Sequence, residues 1–156
     1  MTDGKSLDFN NVDEIFDYAI EKEKEARDFY LEWAGKIDKP AIQKVFTEFA
    51  AQEEGHIKLF TSMKEGHAET RPEVKAVDLH LADYLIEVEP TGDMGYREAL
   101  RVAIQREQAA MDLYGAFSKA TKSPEIASTM ETLVAEETKH KIRLESIYDD
   151  DFYTEN

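Results

Sequence analysis

The chain has 156 residues, 42% hydrophobic and 34% charged, with a formal net charge of -15. That length suits one domain with a full core, and the balance is globular and helical rather than disordered. The acidity argues against nucleic acid and against anionic membrane surfaces as partners, and the lack of cysteine excludes disulfides, thiol catalysis and cysteine-ligated zinc or iron–sulfur centres. Neither an apolar run of spanning length nor a signal pattern is read, so cytoplasm is the expected compartment.

Residues 1–10 are polar and expected to be loose. Asn11, with Glu14 three residues on, has the form of a capping box opening a first helix over about residues 11–35. Its face is Ile15, Ala19, Glu23, Ala26, Tyr30 and Trp33, recurring at spacings of three and four. Pro40, at a favoured first-turn position, opens a second helix over residues 40–66. Its stripe is Ile42, Val45/Phe46, Phe49, Glu53, His56 and Phe60.

Residues 67–95 are bracketed by Pro72, Pro90, Gly92 and Gly95 and read as a long crossover carrying a short helix between Glu73 and Val88. A third helix is expected over residues 96–120, with stripe Leu100, Ala103/Ile104, Glu107, Ala110/Met111, Tyr114 and Phe117. Ser123-Pro124 caps a fourth, residues 124–148, with stripe Ile126, Met130, Leu133, Glu137, His140, Leu144 and Ile147. Residues 149–156 read as a solvated acidic tail.

The two halves repeat. Residues 19–60 slide onto 103–144 without a gap, and 11 of the 42 positions are identical. The matches are Ala19, Ile20, Glu23, Ala26, Asp28, Tyr30, Pro40, Ile42, Ala51, Glu53 and His56, each against its counterpart 84 residues on. In both halves E-x-x-H begins thirty residues after the first glutamate. On a helix the i and i+3 side chains share a face, so each E-x-x-H presents a carboxylate and an imidazole together.

Four helices with apolar seams pack as a bundle. The seams then carry Glu23, Glu53, His56, Glu107, Glu137 and His140 into the interior. Unneutralised carboxylates there cost several kcal/mol each, and no Lys or Arg lies beside them in the seams. Partial protonation or a water-filled core is the alternative to a bound cation. Two divalent ions balance four carboxylates, and two imidazoles complete a nitrogen–oxygen set that suits iron, manganese or zinc better than calcium or magnesium. One Glu from each of two helices plus Glu-x-x-His from each of the other two is the ligand pattern of di-iron carboxylate bundles. The remaining histidines, His67 and His80, are read as incidental.

On these motifs the chain resembles the rubrerythrin branch of the ferritin-like superfamily, over about residues 12–147. The resemblance implies an all-α ferritin-like four-helix bundle, one domain over residues 1–156, built from two helix-hairpin repeats. It implies two iron ions, with Glu23 and Glu107 as first- and third-helix carboxylates, Glu53 and Glu137 as bridging or chelating carboxylates, and His56 and His140 as terminal nitrogen ligands. Full-length rubrerythrins carry a four-cysteine iron site, which this cysteine-free sequence does not encode. The electron donor is therefore expected to be a separate, rubredoxin-like protein. The family also tends to place an extra Glu three residues after the third-helix Glu; here that residue is Ala110.

The expected activity is reduction of hydrogen peroxide, or O2, to water, with no catalytic group beyond the ligands. The alternative is an iron-binding or storage protein with ferroxidase activity; an oxygen- or metal-responsive binding module is a third reading. A homodimer is expected. Tyr30 and Tyr114, each seven residues after a seam glutamate, are expected to hydrogen-bond ligand carboxylates of the opposite half.

Overall fold

A computed structural model describes residues 7–9, 12–66, 77–79 and 95–152. Four helices account for almost all of them: α1 (Val12–Ala34), α2 (Pro40–Gly66), α3 (Tyr96–Ala120) and α4 (Pro124–Phe152). Two three-residue strands, β1 (Leu7–Phe9) and β2 (Val77–Leu79), pair as a minimal sheet. The chain groups into two compact units, Asp8–Asp78 and Met1–Leu7 with Leu79–Asn156. The first contains α1 and α2, the second α3 and α4.

In the first unit, Pro40 starts α2 and Gln43 donates to the Ile37 carbonyl at 2.5 Å, which fixes the turn from α1. Ile15, Phe16, Ala19, Phe29, Tyr30 and Trp33 of α1 are buried, as are Phe46, Phe49, Ala50, Ile57 and Phe60 of α2. Phe16 packs near Phe60, with ring centroids 6.0 Å apart, so the apolar seam runs on past the polar residues of α2. In the second unit, Ser123 caps α4 by accepting a hydrogen bond from the Ile126 amide at 3.1 Å. Leu100, Ala103, Tyr114 and Phe117 of α3 and Ile126, Met130, Leu133, Leu144 and Ile147 of α4 form its core.

Three expectations change. α4 does not end at residue 148, and residues 149–152 are its last turn rather than a solvated tail. The reason lies at the start of α3. Tyr96 donates a hydrogen bond to Asp151 at 2.8 Å, Arg97 donates to the Tyr148 hydroxyl at 2.9 Å, and the Phe152 ring lies 5.2 Å from Tyr148 and 5.9 Å from Tyr96. These contacts offset three aspartates at the helix end where the dipole disfavours negative charge.

Second, residues 77–79, expected in the short crossover helix, form β2. Third, residues 7–9, expected to be loose, form β1. Each strand alternates apolar, Asp, apolar, and the ladder between them supplies backbone partners that neither segment has locally. The Asn11 capping box, His67, His80, the rest of the crossover and residues 153–156 lie outside the described residues.

Candidate metal centre

Six polar residues interrupt the buried seams. Glu23, Glu53, His56, Glu107, Glu137 and His140 are exposed by only 3, 1, 5, 2, 1 and 3% respectively. They form two triads, one in each unit, and both have the same construction.

In the first unit the helical period aims Glu23 of α1 at the face of α2 that carries Glu53 and His56. His56 Nδ1 lies 3.4 Å from Glu23 Oε1 and 3.2 Å from Glu53 Oε1. In the second unit His140 Nδ1 lies 3.2 Å from Glu107 Oε2 and 3.2 Å from Glu137 Oε1. In each triad one ligand atom from every member lies within 4.8 Å of the others. A neutral imidazole carries one ring proton and so cannot donate from Nδ1 to both carboxylates at full strength. A divalent cation in place of that proton would meet all three donors and balance both carboxylate charges. The set of two carboxylate oxygens and one imidazole nitrogen fits a first-row transition metal.

All six residues expected to be ligands from sequence thus occupy the interior, three and three. Tyr30 and Tyr114 are each 1% exposed. The Tyr30 ring sits edge-on to Phe46 and Phe49 at 5.3 and 5.4 Å. Gly55 lies between Glu53 and His56 on the outer side of α2, and a Cβ added to it would meet nothing within 4 Å.

The sequence pattern does not single out the charged residues that join α1 to α2 on either side of the first triad. Arg27 Nη1 donates to Glu54 Oε1 at 2.7 Å, and Lys64 Nζ donates to Asp17 Oδ1 at 2.6 Å. The hydrogen bond to Asp17, and then its charge, hold the Lys64 ammonium above its ordinary pKa. The signal that reveals these residues is in the repeat: the counterparts of Arg27 and Glu54 are Met111 and Thr138, so both members of the pair change together.

Comparison with known proteins agrees with this geometry. The rubrerythrin family model matches residues 14–89 and 98–156. The chain belongs to the rubrerythrin family. Two solved structures resemble this rubrerythrin-family chain over most of their length. One, from Thermotoga maritima and described as a candidate ferritin-like diiron-carboxylate protein, is 26% identical, with a TM-score of 0.73 over 90% of this chain and 96% of that one. The other, a protein of Pyrococcus furiosus described only as hypothetical, is 24% identical, with a TM-score of 0.69 over 88% of this chain and 87% of that one. No curated protein matches the sequence.

The fold class is the expected one, an all-α ferritin-like four-helix bundle. No helix among the described residues is long and apolar enough to cross a membrane.

Proposed function

We propose that this rubrerythrin-family chain is a non-haem di-iron oxidoreductase that reduces hydrogen peroxide, or O2, to water, using electrons from a separate protein donor. The observation that carries the reading is the duplicated triad: two carboxylates and one imidazole, convergent and buried, in each unit. Glu23, Glu53 and His56 would hold one ion, and Glu107, Glu137 and His140 the other. Four carboxylates and two imidazoles would balance the charge of two divalent ions. Iron fits this nitrogen–oxygen set, as manganese and zinc also do, and of the three only zinc lacks the redox change the reaction needs. Two ferrous ions would supply the pair of electrons that takes peroxide to water; taking O2 to water needs four, the second pair coming from the donor.

The chain's own residues supply the setting. The glutamates would compensate the charge of the ions, and each histidine would bind through a neutral ring nitrogen. The apolar side chains around each triad keep bulk water out and strengthen the electrostatics inside. In the proposal, the Tyr30 and Tyr114 hydroxyls donate to ligand carboxylates and fix their orientation. No side chain outside the ligands is assigned an acid–base step.

The test is stopped-flow oxidation of the anaerobically loaded ferrous protein. The expected result is one peroxide consumed per two irons, faster than oxidation by O2, in a protein that sedimentation shows to be a dimer. Accumulation of many irons per chain in a large shell overturns it in favour of storage. Unchanged iron binding in Glu23→Ala and Glu107→Ala overturns the ligand assignment.

A further inference from the structure

The two repeats carry the same ligands but frame them differently. On α1, Asp17 and Arg27 lie on either side of Glu23; on α2, Glu54 and Lys64 bracket His56, with Glu53 beside Glu54. Asp17 pairs with Lys64 at 2.6 Å and Arg27 with Glu54 at 2.7 Å. Each pair therefore ties α1 to α2, and the pairs are ten residues apart on both helices, about 15 Å along the axis. Glu23 and His56 lie within that frame, and Glu53 lies at its Arg27–Glu54 end.

Arg27 is only 27% exposed and also reaches Asp28 at 2.9 Å, so its guanidinium is held by two carboxylates rather than waving in solvent. A planar, forked cation fixed at two points is the kind of surface ion pair with geometric content.

In the second unit the same four register positions are Arg101, Met111, Thr138 and Tyr148. Neither Arg101 with Tyr148 nor Met111 with Thr138 is a pair of opposite charges. The Thr138 hydroxyl instead donates to the Val134 carbonyl of its own helix at 2.6 Å. Tyr148 accepts from Arg97, at the far end of the hairpin and ten residues before Glu107. The repeat has kept the ligands and replaced both braces.

We infer that Arg27–Glu54 and Asp17–Lys64 act as positioning pairs that preorganise the Glu23–Glu53–His56 triad, and that this triad is the tighter of the two metal sites. The inference rests on the metal-binding reading above. A ligand set already held in its bound geometry loses less conformational freedom on binding than one that must be gathered. Charge alone predicts the opposite effect of losing Arg27, because Glu54 and Asp28 would then add negative potential near the cation. The direction of the change therefore separates positioning from electrostatics.

The experiment is calorimetric titration of the intact, metal-free chain with Co(II), with visible absorption reporting ligand geometry. Two binding events of unequal affinity are expected. His56→Ala removes the tighter and His140→Ala the weaker. Arg27→Met and Glu54→Thr, which import the other repeat's residues, each weaken the tighter event about fivefold, the effect of a surface pair at the strong end of its range. They leave the weaker event and the helical circular dichroism unchanged.

Arg27→Lys, which keeps the charge but not the fork that reaches both Asp28 and Glu54, recovers only part of the affinity. The reverse transplant, Met111→Arg with Thr138→Glu, narrows the gap by strengthening the weaker event. The inference is overturned if His140→Ala removes the tighter event, if Arg27→Met tightens binding or leaves it unchanged, or if both events weaken together. A wild-type chain that takes up no cobalt overturns the metal reading itself, and the braces with it.

Discussion

His140 Nδ1 stands 3.2 Å from Glu107 Oε2, although 33 residues separate them in the chain. His56 and Glu23 repeat that relationship across the same interval of 33 residues, at 3.4 Å. The imidazole is thus shared between a carboxylate of its own helix and one of the neighbouring helix, which is a poor arrangement for a proton and a good one for a metal.

That arrangement makes the effect of one substitution change sign with metal. In the metal-free chain, Glu137→Gln removes one of the clustered buried carboxyl groups and is expected to raise Tm by a few degrees, consistent with a gain of about 1 kcal/mol. On the metal reading proposed above, the same substitution removes a ligand of the loaded chain and is expected to lower Tm. Calorimetry with and without Co(II) reads both; a Tm change of the same sign in both states contradicts the prediction.

Metal removal is itself a stability experiment. An ion bound only by the folded chain adds about 2.7 kcal/mol per site when its free concentration is one hundred times Kd. Chelation of the loaded protein is expected to lower Tm in two steps if the sites differ in affinity. The order of loss, followed by visible absorption, reports which triad empties first.

The Tyr96–Asp151 contact gives the fold a pH dependence on the alkaline side. Burial, then the hydrogen bond and charge of Asp151, raise the Tyr96 phenol above its ordinary value. The folded chain therefore keeps this proton where the unfolded chain gives it up. The contribution is complete below about pH 10, the ordinary value for tyrosine, and fades as pH climbs past it. Tyr96→Phe is expected to cost about 1 kcal/mol at pH 8, and less as pH rises through that window. Urea titrations at pH 8, 10 and 11 test it, and a gap that widens with pH refutes it.

The same contact holds the last turn of α4. Arg97→Ala with Tyr96→Phe is expected to release residues 149–152, with faster amide exchange there and little change near His140. At the other end of α4, Ser123→Ala should cost about 1 kcal/mol through loss of the cap to Ile126. Equal exchange rates in the double variant and the wild type would remove the anchor from the account.

The seams and their polar interruptions were legible in the sequence because helical periodicity is a local signal. Every one of the six seam Glu and His residues is buried, as the spacing requires. The ends of elements were less legible because they are fixed by remote partners. Asp149-Asp150-Asp151 reads as tail until Tyr96 and Arg97, more than fifty residues earlier, are seen beside it. Leu7–Phe9 and Val77–Leu79 are too short to outweigh the helical pattern around residue 77, and only their pairing makes them strands. Arg27, Glu54, Asp17 and Lys64 were hidden for a different reason: a charged residue on an outer helix face ordinarily signifies nothing beyond solubility.

Gly55 sits between Glu53 and His56, with open space where a methyl group would go. Alanine fits there without contact and would strengthen the helix by about 1 kcal/mol. The turn that carries two of the three donors therefore forgoes helix stability that alanine would supply. In mechanical terms it is a compliant link set in a stiffened frame, and amide exchange at residues 53–57 should slow when Gly55 becomes alanine.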